Sequence, residues 1–595
     1  MNQTKQIDTD SLYPEPYCVI DNCLCQKIPN KNKMEPDIKK LCNFVPYIVS
    51  QITFDNGAEV TSRVKIAGIS SSGETLPTVD VGYDEFAMLG WITREWGFGC
   101  IVSVGSSTRD HVRVAIQSTA EKAERLTVYS VTGWKQINGK YHFLMPDDSE
   151  QTVELPNKMS SYTMRRDYTD ADIAQGFSLL EKTLAPKEII YPLIAIAFTS
   201  PLNCFLREAG CEPKTVLMLV GKTGSKKSTR SALMLSFFGN FTASTLPLSF
   251  KDTANSIMHH SFTLKDVLTC IDDFHPSGRT DESSMTNTMQ MILRAYGDRV
   301  GRGRLTSKSE AMETRYPQGN AIITAEFPPD IGESGTARYF AVEMSPDSLN
   351  NTFLTMYQEE AAKGKLSACM FAFTEWIRES YLEDSELKEK WISDLHRRFI
   401  AGRDEIIKRL TDNGITFHPR IPEDVSVLRL GFESFLQFLR ARGLVDDDLL
   451  TLYLLDFDDV MYGIAVAQSR SVEQDKPVYR FIVKLNSLLE SGRCFVAPRA
   501  NGKVERNSSC IGYEDENSYF LFRSLAHQTV RRLCDEQGES FSISENALSK
   551  QLIAEHLVVP GGKQITKTVR LGDDSTVKLM EIPKDAMRAV VEKFS

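Results

Sequence analysis

Hydrophobic and polar positions change period repeatedly along this chain, and each change predicts a change in the kind of element. Residues 44–54 form a β-branched and aromatic run closed by Asp55-Asn56-Gly57, a hairpin turn signal. Residues 128–131 and 141–144 flank Gly133-Trp134 and Asn138-Gly139 in the same way, so residues 1–165 read as β-rich. Between 167 and 209 the period becomes helical, with Thr169-Asp170 as a start signal and Pro186 opening a second helix. Residues 215–345 alternate short apolar runs with helical stretches, the pattern of an α/β core, and 350–469 are mostly helical. Residues 545–556 predict a short helix, followed by alternating stretches at 565–571 and 576–582 around Gly572-Asp573-Asp574-Ser575. Helix plus hairpin resembles the end of a winged-helix domain. Its face is either a nucleic-acid surface carrying Lys550, Lys563, Lys567, Arg570 and Lys578 or a packing module.

At 595 residues the chain is too long for one core and predicts roughly three to four domains of about 150 residues. Its 42% hydrophobic and 25% charged content is ordinary for a globular protein. The net charge of −10 excludes a general polycation, so any nucleic-acid contact needs a local basic patch. The most apolar stretch, residues 189–198, is ten residues long and contains Pro192, against the roughly 20 that a membrane span needs. No charged-then-apolar signal peptide opens the sequence, and a cytoplasmic protein with no membrane partner is expected. Twelve cysteines are scattered with no C-x-x-C pair. The spacings of five, two and seventeen among Cys18, Cys23, Cys25 and Cys42 fit no common zinc ribbon, and burial in strands accounts for them better.

The octet Gly221-Lys222-Thr223-Gly224-Ser225-Lys226-Lys227-Ser228 is one position away from the phosphate-binding pattern G-x-x-x-x-G-K-[ST], with Lys226 where the second glycine belongs. Residues 215–220 before it have the composition of a buried strand. Residues 228–238 after it place Leu233, Met234 and Phe237 at helical spacing, with Gly239 as a stop. Strand, turn and helix in that order bring backbone N–H groups and a helix N-terminus onto an anion. Lys227 is then expected on the β- and γ-phosphates and the Ser228 hydroxyl on Mg²⁺. The octet alone reads equally as a Lys/Ser-rich turn capping a helix.

The second half of such a site is carboxylate. Residues 267–271 form an apolar run ending in Asp272-Asp273, 44 residues after Ser228, with Asp272 expected on the metal and Asp273 as the base. Residues 320–326 form another strand, ending in a polar residue, Glu326, that could sense the γ-phosphate, with Thr324 the best candidate. Arg338 heads a further apolar run and reads either as an arginine finger or as the partner of Glu343 or Glu333. Between these strands lies a basic segment holding Arg294, Arg299, Arg302, Arg304 and Lys308. Gly297, Gly301 and Gly303 there predict a loop or hairpin, and Arg299, Arg302, Arg304 and Lys308 are the expected DNA contacts.

Residues 221–229, the run Ile271-Asp272-Asp273-Phe274-His275-Pro276, the Gly301-Arg302-Gly303-Arg304 loop and Ala337-Arg338 together resemble the family catalogued as domain of unknown function 927. Leu41-Cys42-Asn43-Phe44 and Thr132-Gly133-Trp134 resemble it as well, so the likeness spans roughly residues 10–345. The resemblance implies a hexameric, helicase-like AAA+ ATPase of phages, plasmids and cassettes, similar to superfamily 3 and minichromosome-maintenance helicases. It implies ATP and Mg²⁺ bound at residues 221–229 (Thr229 included) and Asp272, with single-stranded or forked DNA as partner. That family also places a basic residue at the position of Lys226. Asp273 departs from the usual glutamate, and no primase motif is visible before the core.

The expected architecture is a multidomain α/β chain. It comprises a β-rich N-terminal domain (1–165), an AAA+ P-loop ATPase core with preceding helices (166–349), a helical region (350–472) and a C-terminal winged-helix-like domain (473–595). The expected function is an ATP-driven DNA helicase or translocase in replication of a mobile element. The rivals are a nucleotide-switched initiator or defence ATPase that assembles without unwinding, and a binding protein with a dead site. A nucleotide-binding assay separates the two adjacent lysines: Lys227→Ala is expected to abolish ATP binding and Lys226→Gly to retain it, whereas equal loss in both makes Lys226 a ligand itself.

Overall fold

The strand Phe44–Asp55 turns at Gly57 and pairs antiparallel with Val60–Ser70. Gly57 has φ of +85°, and its N–H donates to Asp55 Oδ1 at 2.8 Å, which is the chemistry the turn signal predicts. The computed structural model describes residues 11–182, 184–299, 315–504, 509–537, 539, 541–562 and 564–594. The chain divides into two compact units, Met1–Lys135 with His142–Ser160, and Gln136–Tyr141 with Ser161–Ser595. In the first unit, Phe44–Asp55 sits at the centre of a five-stranded sheet, beside a three-stranded antiparallel sheet of Tyr17–Ile20, Cys23–Ile28 and Asp37–Cys42. Its β-rich reading omits two helices, Gly90–Trp96 and Thr108–Ser118. They send Trp91, Trp96, Val112 and Ile116 into the same buried cluster as Phe44, Val45 and Ile66.

In the second unit five strands run parallel: β1 (Val216–Val220), β2 (Leu248–Ser249), β3 (Leu268–Phe274), β4 (Asn320–Ala325) and β5 (Tyr339–Glu343). Their spatial order is β2-β3-β4-β1-β5. Every residue of β1 and β4 is buried, so neither alternates: β1 is wholly apolar, and β4 is apolar except at Asn320 and Thr324. The helices that matter to the site are α1 (Lys187–Thr199), α2 (Lys227–Leu235), α3 (Arg279–Asp298), α4 (Asn351–Ala362), α5 (Lys365–Ile377), α6 (Ser385–Asp412), α7 (Arg420–Ala441) and α8 (Asp447–Gln474).

Helix α1 continues through short turns into a 22-residue apolar run, Lys187–Glu208, long enough by length and composition to cross a membrane. The sequence reading put that run too short. It is a core helix: 94% of its apolar window is buried inside the fold. Phe198 stacks on Phe435 with ring centroids 3.9 Å apart and meets Phe237 and Phe373 edge-on. Helix α7 crosses α1 at Gly431, where a Cβ would lie 2.6 Å from Ala195 O, so glycine is what lets the two backbones touch.

Two local expectations change. Helix α3 runs on through Arg294 and Gly297, where a glycine-rich loop was expected; Gly297 is small because the Arg338 and Arg420 side chains press on it. The C-terminal hairpin, Thr566–Arg570 with Thr576–Pro583, is the edge of a five-stranded sheet that also contains Phe495–Pro498, Cys510–Glu514 and Ser518–Leu521. On that hairpin Lys567 pairs with Glu581 and Arg570 with Asp574, so both charges are locally neutralised.

The outer edge of the parallel sheet is closed by one side chain. Gln468 of α8 donates to Thr336 O and Tyr339 O at 3.0 and 3.1 Å and accepts from the Ala341 N–H at 3.2 Å. Replacing it by leucine strands three buried backbone groups. Gln468→Leu is expected to cost about 1–3 kcal/mol of stability, read as a lower urea midpoint at unchanged slope.

Candidate active site

Parallel pairing levels the C-terminal ends of β1, β3 and β4, and the octet leaves the sheet from β1 at that level. Gly221 donates its N–H to Ala325 O at 3.1 Å, which ties the loop to β4. A Cβ on Gly221 would stand 2.3 Å from Met344 O, so only glycine fits there. Gly224 turns the loop with φ of +90°, and Ser225 is buried with its hydroxyl unpartnered among the described residues. Helix α2 begins at Lys227, with Ser228 and Thr229 in its first turn.

Lys226 takes the left-handed conformation, φ 55°, that the missing glycine would adopt at no cost. Its ammonium donates to Asn351 Oδ1 at 2.6 Å, so the side chain reaches the start of α4. Lys227 curls onto the carbonyls of Gly221 and Lys222. Partial burial lowers its pKa, against the pull of Glu326, Asp272 and Asp273, which place its charge among three carboxylates.

Asp272 is the meeting point of the site. Its Oδ1 accepts from Ser228 Oγ at 2.8 Å and from Thr324 Oγ1 at 2.6 Å. Thr324, buried in β4, accepts in turn from the Asp273 N–H at 2.9 Å. A bulge between Ile271 and Phe274 makes this possible by turning Asp273 to φ 70°. The Asp273 carboxylate pairs with Lys251 at 3.2 Å. A hydroxyl and a carboxylate held 2.8 Å apart beside a helix N-terminus and a lysine can take an anion with its divalent cation.

Other expected residues sit elsewhere. Arg338 immediately precedes β5, at the opposite end of the sheet from the octet. The five residues of β1 separate the two ends by about 15 Å at roughly 3.3 Å per residue. Its partner is Asp298, at 3.1 Å, rather than Glu343 or Glu333, and Arg420 shares that carboxylate at 2.8 Å. Burial alone would raise the Asp298 pKa, but hydrogen bonds from Arg338 and Arg420 hold it below the usual carboxylate range.

Arg299, expected on the DNA loop, is inside the fold and is corrected to a structural residue. Its side chain is 6% exposed and donates to the carbonyls of Pro213, Pro317 and Gly319. Arg302, Arg304 and Lys308 lie outside the described residues. Sequence reasoning gave no role of their own to Lys251 and His275 and took Glu326 only as the polar end of its strand; all three surround the loop and the acid pair. A polar residue directly after the apolar run of β4 was the one available signal for Glu326.

By sequence, no family model matches this chain and no curated protein matches it. Among solved structures, the fold is similar to one described as "SCCmec type IV Cch - active helicase". The likeness has a TM-score of 0.56 at 12% identity and covers 97% of this chain and 99% of that one. At that identity the likeness is one of fold. A second structure, the C-terminal region of NrS-1 in its A form apo state, has a TM-score of 0.23 at 11% identity over 68% of this chain and 86% of that one, and carries no argument.

Thr324 links both strand ends to Asp272, so its hydroxyl is the part to remove. Thr324→Val is expected to lower stability by about 1–3 kcal/mol by leaving the Asp273 N–H without an acceptor. Thr324→Ser is expected to restore most of it, as measured by thermal unfolding.

Proposed function

We propose that this chain is an ATP-driven DNA helicase or translocase of a mobile element, built on an AAA+ P-loop core. The observation that carries the reading is Asp272 receiving Ser228 and Thr324 at the mouth of a parallel sheet ordered β2-β3-β4-β1-β5. The full-length fold shared with the Cch helicase supports it. So do the motifs that resemble the domain of unknown function 927 family.

The residues fit the expected ligand. Glycine at 221, the open turn at Gly224 and the buried Ser225 hydroxyl, without a partner among the described residues, make a turn able to close around a phosphate. Lys227 leaves its two loop carbonyls to neutralise the phosphates, and Ser228 with Asp272 supplies two oxygen donors, the number Mg²⁺ usually takes from protein beside phosphates. That ion, when bound, draws charge from the phosphate oxygens. Thr324 holds Asp272 and reads the occupied site through the same hydroxyl.

Arg338 stands too far from its own loop to serve it and instead completes the site of a neighbouring copy in a ring, probed by release from Asp298. Arg302, Arg304 and Lys308 grip the DNA strand. The C-terminal sheet with its helix serves as a winged-helix-like docking module.

Hydrolysis and unwinding separate this reading from the switch that only assembles. Arg302→Ala with Arg304→Ala is expected to lose DNA stimulation and strand separation while basal ATP hydrolysis and oligomerisation persist. Strand separation that survives the double substitution contradicts the DNA-gripping role.

A further inference from the structure

A carboxylate outside the acid pair also touches the octet. Glu326 follows the last residue of β4, and its N–H donates to Phe274 O at 3.3 Å, which fixes its backbone to the end of β3. Its Oε1 accepts from the Thr223 N–H at 3.1 Å and from Thr223 Oγ1 at 2.7 Å. Its other oxygen pairs with His275 Nδ1. Glu326 therefore already occupies one of the N–H groups that the loop offers to a phosphate chain.

Asp273 is differently placed. Its carboxylate is nearly half exposed. Its ion pair is with Lys251, whereas Glu326 bonds the octet itself. Resting on the ATPase reading above, we infer that Glu326, oriented by His275, is the carboxylate that activates the attacking water, and that it fills the phosphate loop until nucleotide displaces it.

The chemistry of the group leaves it little else to do. An ionised carboxylate only accepts hydrogen bonds, and so do phosphate oxygens, so Glu326 cannot bond to the phosphates directly. Once phosphate takes the Thr223 N–H, Glu326 keeps the Thr223 hydroxyl and His275 and has a lone pair free for a water. The exchange also arms it. Hydrogen bonds from Thr223 Oγ1 and from the Thr223 N–H now hold the Glu326 carboxyl below the ordinary glutamate range. Loss of the N–H bond beside an anion raises its proton affinity, so the base strengthens as the site loads.

In the step itself, the water oxygen bonds to the γ-phosphorus while the bond from that phosphorus to the bridging oxygen breaks. The leaving ADP takes the electron pair of that bond. The water proton passes to Glu326, which returns it to solvent. His275 is a positioning residue, acting on the carboxylate rather than on the substrate.

The test uses the full chain with two readouts, the affinity for ATPγS and the single-turnover rate of ATP hydrolysis. Glu326→Gln removes the charge with little change of shape. It is expected to bind ATPγS as tightly as wild type or tighter, because the competing carboxylate is gone, and to lose about 100-fold or more in rate. Asp273→Asn is expected to lose less than about tenfold. A Glu326→Gln protein that keeps more than a tenth of the wild-type rate, or an Asp273→Asn protein that falls as far, overturns the assignment. Loss of ATPγS binding in Glu326→Gln also overturns it, making Glu326 a brace for the loop. A wild-type chain that binds ATPγS without hydrolysing ATP removes the ATPase reading itself, a failure distinct from the other three.

Discussion

The double hydrogen bond onto Asp272 is the interaction on which the rest of the site depends. It joins three elements that are far apart in sequence: α2 through Ser228, β3 through Asp272 itself, and β4 through Thr324. It forms only because the strands are parallel and level, with Cys270 opposite Ile322 and Ile271 opposite Ile323. Antiparallel strands would bring their ends out on opposite sides of the sheet. The bulge after Ile271 adds the second requirement, turning Asp273 so that its N–H reaches Thr324 while its carboxylate pairs with Lys251.

This constraint gives Lys226 a place. A left-handed non-glycine residue costs about 1–3 kcal/mol, and here the position is held by the side chain rather than by the absence of one. Lys226 spans from the loop to Asn351, the first residue of α4, and so connects the candidate site to the helical region that follows the sheet. Arg338 makes a comparable connection at the opposite end of β5, where Asp298 of α3 and Arg420 of α7 meet it. Both contacts tie sheet to helix through charge, at opposite ends of the sheet.

Features written as local pattern were legible in the chain. Mainly apolar runs located β1, β3 and β4, and glycine and polar residues at their ends located the loop and the acid pair. The capping signal Thr169-Asp170 starts the helix Asp170–Glu181 through a capping box with Asp172. The hairpin at Asn138-Gly139 takes φ of 50° and 83°, as its residues predict. What was not legible depends on partners distant in sequence. Nothing near Arg299 announces that three carbonyls will bury it, and nothing near Glu326 announces Thr223, 103 residues away. Gly297 read as a loop residue because glycine breaks helices, whereas here two arginine side chains press on it inside one. The strand Phe495–Pro498, at four residues, is too short to stand out by period.

The central claim is that residues 221–228 hold a working nucleotide site despite the lysine at 226. Isothermal titration of the full chain with ATPγS and Mg²⁺ tests it most directly. The account predicts saturable binding of one nucleotide per chain that weakens when Mg²⁺ is withheld, since Ser228 and Asp272 then lose the ion they are placed to hold. An absence of heat at all nucleotide concentrations, from a chain whose unfolding is otherwise cooperative, would contradict it.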